Sequence, residues 1–350
     1  MRSLVLRGAI GPVAALMLSV AAPTFSGTAS AATTANDVRV GSFNITSVSA
    51  DSSASGDREK WSVRRRVVVE QILNNRIDVV GLQEANQSSI YSSSLHFGVN
   101  QYMDLLGGLK AHGARYAVTN ANAYNCVKAS STYNCVYQDR QASQDNRIIY
   151  NTDRVSLVRQ GAVRFPTQTE GKNERYLAWA VFSVKATGKQ FFFTDTHLDP
   201  YSAATRQAQW NESIDATNSL KGSLPVVAVG DYNTTKFDDY AATFLPKMRS
   251  NGYGDVLNQQ YQKPIIAYPR AESTSMAWVN SFNAYRRDLR SYSYYQARYK
   301  TGNGVDWIFA TNSVRVKRWG VVTRVNADTM QLTGVIGSDH SLVNATVVIS

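Results

Sequence analysis

Six short polar clusters in this chain carry the residue types needed to hold a cation and move a proton at an anionic group. They are Asn44, Gln83-Glu84, His197 with Asp199, Asp231 with Asn233, Asp306, and Asp339-His340. Five apolar strand-like runs end in such a group, and Asp339-His340 precedes the closing one, Leu342 to Ile349. Acids and amides often cap turns at strand termini. Six of them on separate strands are more than turn chemistry asks for, and strand ends of one sandwich can converge on one rim. A magnesium ion wants oxygen ligands, few of them from protein, with the remaining positions left to water and phosphate. Glu84 is the best single ligand, with Asp339 and Asn44 as helpers. Hydrolysis of a phosphodiester also needs a water activated in line with the leaving oxygen. His340 can take that proton if a carboxylate holds its far nitrogen, and Asp306 is the candidate orienter. Asp231 and Asn233 can hold the attacking water and a non-bridging oxygen, and His197 can donate to the phosphate as charge develops.

The elements that must position these groups alternate between strands and helices. Val38 to Phe43 and Ile77 to Leu82 read as strands, with a helix from Glu59 to Asn74 between them whose apolar face is interrupted by Arg64, Arg65 and Arg66. Gln101 to Lys110 is a second helix, followed by a short strand near Tyr116. Arg147 to Tyr150 and Val155 to Val163 suggest paired strands around the turn Asn151-Thr152-Asp153, and Tyr176 to Val184 with Gln190 to Thr196 a hairpin around Thr187-Gly188. Ala203 to Leu220 is helical and Pro225 to Val229 a buried strand. Val305 to Ala310, Val314 to Val322 and Leu342 to Ile349 close the chain. No low-complexity linker interrupts the order. Strands rich in phenylalanine and valine in both halves imply two sheets facing each other in one α/β domain.

The ends of the chain and its composition bound the setting. Arg2 and Arg7, the apolar stretch Ala9 to Val20 and the motif Ala29-Ser30-Ala31 form a secretory signal pattern over residues 1–31, leaving residues 32–350 as the mature, extracellular domain. No later segment is apolar enough to cross a bilayer. The formal charge of +11 favours a polyanionic partner: nucleic acid, anionic lipid or anionic cell wall. Cys126 and Cys135 are the only cysteines, and outside the cytosol they pair as a disulfide closing a small loop.

The ordered set Phe43-Asn44-Ile45, Gln83-Glu84, Thr196-His197-Leu198, Gly230-Asp231-Tyr232-Asn233, Val305-Asp306-Trp307-Ile308 and Ser338-Asp339-His340 resembles the endonuclease/exonuclease/phosphatase superfamily, in its DNase I-like branch. The resemblance runs from Val38 to Ile349. It implies a four-layer α/β/β/α sandwich of two mixed sheets, with the site at one edge of both. It implies Mg2+ (Mn2+ or Ca2+ as alternatives) on Glu84 with Asn44 and Asp339 near it, a His340–Asp306 base, and Asp231, Asn233 and His197 around the phosphate. Arg175 resembles a phosphate-contacting arginine of that branch, the alternative being a solvated hairpin charge. Asp145 lies close to where that branch carries an acid orienting the first histidine. Asp199 is open between a role beside His197 and a turn residue before Pro200.

Substrate is read from the segment Tyr285 to Lys300, where arginines interleave with tyrosines. Arg286, Arg287 and Arg290 suit phosphates, and the tyrosines suit bases or sugars. The alternative is a helix with a solvated basic face. The first expectation is a secreted, monomeric, metal-dependent nuclease acting on DNA and also RNA. The second is a sphingomyelinase-type phospholipid phosphodiesterase, which wants an exposed apolar hairpin for which Trp278 and Phe282 are weak candidates. The third is a binding module without catalysis, against which the intact set of acids, amides and histidines argues.

Overall fold

The structure is a computed structural model. It describes residues 34–87, 94–98, 100–122, 142–236, 243–260, 268–269, 271–289, 302 and 304–350. The chain divides into two units, Met1–Thr34 and Ala35–Ser350, and the second carries every strand and helix described. Cys126, Cys135 and Arg290 lie outside the described residues.

Strand β1 (Asp37–Asn44) leads through a 3-10 turn, Val48–Ser53, into helix α1 (Trp61–Asn74) and back to β2 (Val79–Gln83). The lysine at the N-cap of α1 offers no side-chain acceptor. The Asp51 carboxylate takes its place, accepting from Trp61 N at 3.0 Å. Helix α2 (Gln101–Ala111), capped by Asn100, precedes β3 (Tyr116–Val118), β4 (Arg147–Asn151) and β5 (Val155–Arg164). Then come β6 (Tyr176–Val184), β7 (Gln190–His197), helix α3 (Ala203–Lys221), β8 (Val226–Asp231), helix α4 (Leu245–Ser250), β9 (Tyr253–Asp255), β10 (Asn258–Gln260), β11 (Tyr268–Pro269) and β12 (Ser273–Ser275). The chain closes with β13 (Asp306–Thr311), β14 (Arg315–Val322), β15 (Val325–Asn326), β16 (Gln331–Leu332) and β17 (Leu342–Val348).

Two large mixed sheets result. One runs β12-β14-β17-β1-β2-β4-β3 and the other β5-β6-β7-β8-β13-β9. Residues from both, such as Val40, Val79, Phe193, Val229, Ile308 and Val343, share the central core. On the outer face of the first sheet Trp61, Val68 and Ile72 of α1 and Leu105 of α2 pack on Phe43, Val80 and Leu82. On the outer face of the second, Trp210 and Ile214 of α3 and Met248 of α4 pack on Phe192, Val226 and Phe309. This is the α/β/β/α layering that the sequence resemblance implies.

One expected pairing fails. β4 and β5 are not a hairpin: β4 pairs with β2 and β3, whereas β5 pairs with β6 in the opposite sheet. The turn at Asn151-Thr152-Asp153 exists, with Arg154 N donating to Asn151 O at 3.1 Å, but it passes the chain from one sheet to the other. The apolar content of both strands serves the shared core between the sheets, so each finds its hydrogen bonds elsewhere.

The inner faces meet most closely at Gly81, where an added Cβ would lie 2.5 Å from Val229 Cγ2 and 2.6 Å from Asp195 Oδ1. Beside that contact, buried Asp195 of β7 accepts from Gln83 Nε2 at 2.6 Å and from Asn146 Nδ2 at 3.3 Å. A polar bolt therefore fixes the strand that delivers Glu84 against the strand that delivers His197.

Candidate active site

Strand direction explains how residues distant in sequence reach one rim. β1 and β2 are parallel, so Asn44 and Glu84 leave the first sheet at the same end. β7 and β8 are parallel, with His197 opposite Asp231. Asp306 does not end its strand as expected but opens it: β13 runs antiparallel to β8, which brings its first residue opposite Asp231. β17 is antiparallel to β1, so the loop before it, Gly337 to Ser341, lies at that rim as well.

These groups line a cleft of about 630 Å³ that includes Glu84, His197, Asp231, Asn233, Asp339 and His340. His340 Nδ1 lies 2.8 Å from Asp306 Oδ2, which also accepts from Ser281 Oγ at 2.6 Å. His340 Nε2 faces Asp231 Oδ2 at 3.7 Å, and His197 Nε2 faces the same oxygen at 3.5 Å. Asn233 N donates to Asp231 Oδ1 at 2.9 Å, and Asn233 Nδ2 to Leu198 O at 2.9 Å.

Burial and charge set the protonation states. Burial opposes the charged form of His340, but the carboxylates of Asp306, Asp231 and Asp339 outweigh it and hold its pKa well above the ordinary imidazole value. His197 goes the other way: burial, then Arg175 and His340, hold it well below. Burial pushes Asp231 up to about 7, against the pull of His340. Two histidines pushed to opposite states around one carboxylate are the pattern by which a site gives like side chains different roles: neutral His197 keeps an N–H to donate, and His340 becomes a base where positive charge in the cleft offsets its carboxylates.

On the other side of the cleft, Glu84 Oε1 accepts from Asn44 Nδ2 at 3.1 Å and Oε2 from Ser47 N at 3.0 Å. Glu84 itself has φ 55°. A left-handed glutamate costs about 1–3 kcal/mol, strain that persists where the surroundings over-determine it and that clusters at functional sites. Asn44 Nδ2 also donates to Asp231 Oδ2 at 3.1 Å, while Asn44 Oδ1 accepts from Thr46 N. In this arrangement Asn44 bridges two carboxylates and turns its oxygen away from them. The Thr46 hydroxyl donates to Asp339 Oδ1.

Two donor sets could take a cation. Asp231, Asp306 and His340 bring one donor atom each within 4.8 Å of one another. That set already uses its histidine in the 2.8 Å contact with Asp306, and an imidazole ligand suits transition metals. Glu84 and Asp339 are half-buried carboxylates that both line the open cleft, a hard-oxygen set with room for water and phosphate. By donor chemistry Glu84 and Asp339 suit a hard divalent cation, whereas the Asp231–Asp306–His340 cluster suits a softer one.

Arg175 is 9% exposed, so it is not a solvated hairpin charge. It lines the cleft beside His197, and its Nε is buried without a hydrogen-bond partner among the described residues. Asp145 also lines the cleft, but no hydrogen bond joins its carboxylate to His197 among the described residues; the acid facing His197 is Asp231. Burial raises the Asp145 pKa. Asp199 is a turn residue: its Oδ1 accepts from Tyr201 N at 2.8 Å and Ser202 N at 2.7 Å, ahead of α3.

The basic segment divides. Arg286 is exposed. Arg287 is a structural anchor rather than an open phosphate contact: it donates to Asp57 at 2.7 Å and to the carbonyls of Leu332 and Gly334. Trp278 packs against the central core, and the Phe282 ring lies tilted against His340 with centroids 4.9 Å apart, so neither forms an apolar tip. No helix among the described residues is long and apolar enough to cross a membrane.

Arg64 was hidden in the sequence. It is buried at 1% exposure and donates to the carbonyls of Glu59, Ile45, Gly337 and Thr46 at 2.9–3.2 Å. One guanidinium thus ties the loop after Asn44 to the loop before Asp339-His340. A run of three arginines reads as a solvated helix face, and only the third-dimension position of the first one distinguishes it.

A model of the Endonuclease/Exonuclease/phosphatase family matches residues 40–340. No curated protein matches the chain. Among solved structures, an endonuclease/exonuclease/phosphatase family protein from Bacteroides thetaiotaomicron is 21% identical with a TM-score of 0.62, covering 90% of this chain and 98% of that one. A mannosyl-6-phosphatase from the same organism is 20% identical with a TM-score of 0.59, covering 89% and 99%. D. rerio TDP2, complexed with single-strand DNA product, is 15% identical with a TM-score of 0.52, covering 89% and 98%.

Proposed function

Since the chain belongs to the endonuclease/exonuclease/phosphatase family, we propose that this hydrolase is a secreted, metal-dependent phosphodiesterase acting on nucleic acid, DNA first and RNA as well. The observation that carries the reading is Arg175. A buried guanidinium with an unpartnered Nε, in the same cleft as His340, Asp231 and Glu84, is an anion site waiting to be filled. The formal charge of +11 suits a polyanion, and the signal pattern over residues 1–31 supports an extracellular setting.

The distances support the following division of roles. Arg175 and neutral His197 hold the phosphate oxygens. Asp231, with Asn233 N on its other oxygen, orients the attacking water. His340 Nε2 receives the water's proton, and Asp306 holds Nδ1 so that Nε2 faces the cleft. Glu84 and Asp339 would hold the cation, and Thr46 and Ser47 N fix those two carboxylates. When bound, a divalent cation supplies positive charge that polarises the phosphate and offsets the carboxylates around His340.

A second reading, hydrolysis of a sugar phosphate monoester, draws on the amides lining the cleft, Asn86, Gln87, Gln144, Asn146 and Asn173, which suit hydroxyl groups. The mannosyl-6-phosphatase of the same fold gives that reading a precedent. The test is a cleavage panel with Mg2+ and with EDTA: supercoiled plasmid, linear DNA, RNA, mannose 6-phosphate and sphingomyelin. Nucleic acid cleaved and the others left intact is the expected result. Sugar phosphate turned over with plasmid and RNA intact would reverse the choice, and sphingomyelin hydrolysis would move the protein to the lipid branch.

A further inference from the structure

Aromatic side chains at a catalytic cleft are normally packed, yet Tyr201 is 64% exposed and lines the same cleft as His197 and Arg175. Its backbone is not loose. Asp199 Oδ1 accepts from Tyr201 N and Ser202 N, Asp199 N donates to Gln209 Oε1 at 2.8 Å, and Arg206 donates to Asp199 O at 3.1 Å. Pro200 stiffens the step between. The start of α3 comes at once, with Ser202 Oγ capping Thr205 N. A ring four residues after His197 is thus carried on a fixed turn and left open to solvent.

Lys172 Nζ stands 4.4 Å from the centroid of that ring. Lys172 comes from the loop that also delivers Asn173 and Arg175 to the cleft. A cation on an aromatic ring strengthens the pair electrostatically and keeps the ring in one orientation. Tyr201 lines the cleft together with the buried Arg175 that would hold the phosphate, and Lys172 lies three residues before that arginine.

We propose that Tyr201, steadied by Lys172, is a stacking subsite for the nucleobase adjoining the scissile phosphate, and that it sets the preference of the enzyme for a nucleotide over a bare phosphodiester. Every base has a π-face, so the subsite recognises a base without reading its identity. This inference rests on the nucleic-acid reading above and extends it.

The experiment compares three diesters with one leaving group: thymidine 5′-p-nitrophenyl phosphate, its base-less deoxyribose counterpart, and methyl p-nitrophenyl phosphate. With wild-type protein and Mg2+, kcat/KM for the thymidine ester exceeds that for the other two. Tyr201→Ala lowers the thymidine-to-base-less ratio by roughly 5- to 150-fold, the range of base–aromatic stacking, and Tyr201→Phe keeps it. Lys172→Ala lowers it by a smaller factor. Wild-type ratios near one, or a ratio unmoved by Tyr201→Ala, overturn the subsite while leaving the nuclease reading intact. A Tyr201→Ala loss that is equal for the thymidine and base-less esters, with the methyl ester spared, assigns Tyr201 to the sugar and overturns the base assignment. A wild-type protein inert toward all three, yet active on mannose 6-phosphate, overturns the nucleic-acid reading and the subsite with it.

Discussion

Asp306 stands directly opposite Asp231 in the ladder between β13 and β8, and the two carboxylates grip His340 from its two ring nitrogens, at 2.8 Å from Nδ1 and 3.7 Å from Nε2. The antiparallel register makes this possible: the two acids are placed by strand pairing, not by a flexible loop. They are not equivalent. Asp306 is in hydrogen-bond contact with the ring, whereas Asp231 lies beyond hydrogen-bond distance of it.

Replacing Asp306 by Asn keeps the shape and removes the charge that holds the ring. Activity on nucleic acid is expected to fall by about 10²–10⁴-fold, chiefly in kcat, the range of a general base contribution. Ser281→Ala, which removes one donor to Asp306, should cost less than tenfold, roughly the value of a single hydrogen bond. Equal losses from the two variants would show that the contact is structural only.

The Arg64 cradle predicts a stability effect. Truncation to Ala leaves the buried carbonyls of Ile45 and Gly337 without their Arg64 donor, while Thr46 O keeps Gln101 Nε2 at 2.9 Å. Unsatisfied buried groups cost about 1–3 kcal/mol each, so a loss of about 2–6 kcal/mol is expected in urea denaturation. Arg64→Lys should recover little, because an ammonium lacks the planar fork that reaches several carbonyls at once. A loss under about 1 kcal/mol for Arg64→Ala would contradict the assignment.

Thr46 predicts a metal phenotype. Its hydroxyl donates to Asp339. Partners of this kind are worth about 10–100-fold in metal affinity, so Thr46→Val should raise the half-saturating Mg2+ concentration by that factor. Calorimetric titration with Mg2+ gives a readout independent of turnover. An unchanged affinity would place the cation away from Asp339.

Asp195 predicts how stability depends on pH. Burial raises its pKa well above the ordinary carboxylate value, against the pull of Gln83 and Asn146. The folded state therefore keeps a proton that the unfolded state gives up, and the stability contributed by the neutral acid is present below the unfolded pKa. It is lost as pH rises through the folded pKa. Asp195→Asn, neutral at every pH, should flatten that decline between the two values. Denaturation midpoints measured from about pH 4 upward that keep the wild-type slope in Asp195→Asn would refute it.

Much of this site was legible because the groups sit at strand ends: a polar residue after an alternating apolar run marks both the strand and its terminus, as at Asn44, Glu84, His197 and Asp231. The same logic misplaced Asp306 only in direction, since a run with a polar flank does not say which way the strand points. The β4–β5 pairing went wrong because a local turn signal cannot tell a hairpin from a crossing between sheets. Arg64 and Asp195 were illegible for another reason. A buried charge or acid is identified by its partners, and the partners of Arg64 are backbone carbonyls up to 273 residues away in sequence.

Catalysis in this reading turns on one proton transfer: His340, held by Asp306, takes the proton of a water that attacks a nucleic-acid phosphate. The measurement that tests it most directly is Mg2+-dependent cleavage of a labelled single-stranded oligonucleotide by wild-type protein and by His340→Ala under single-turnover conditions. The expected result is a cleavage rate at least about 10²-fold lower in the variant, with binding of the oligonucleotide retained. Cleavage by His340→Ala at the wild-type rate would contradict it.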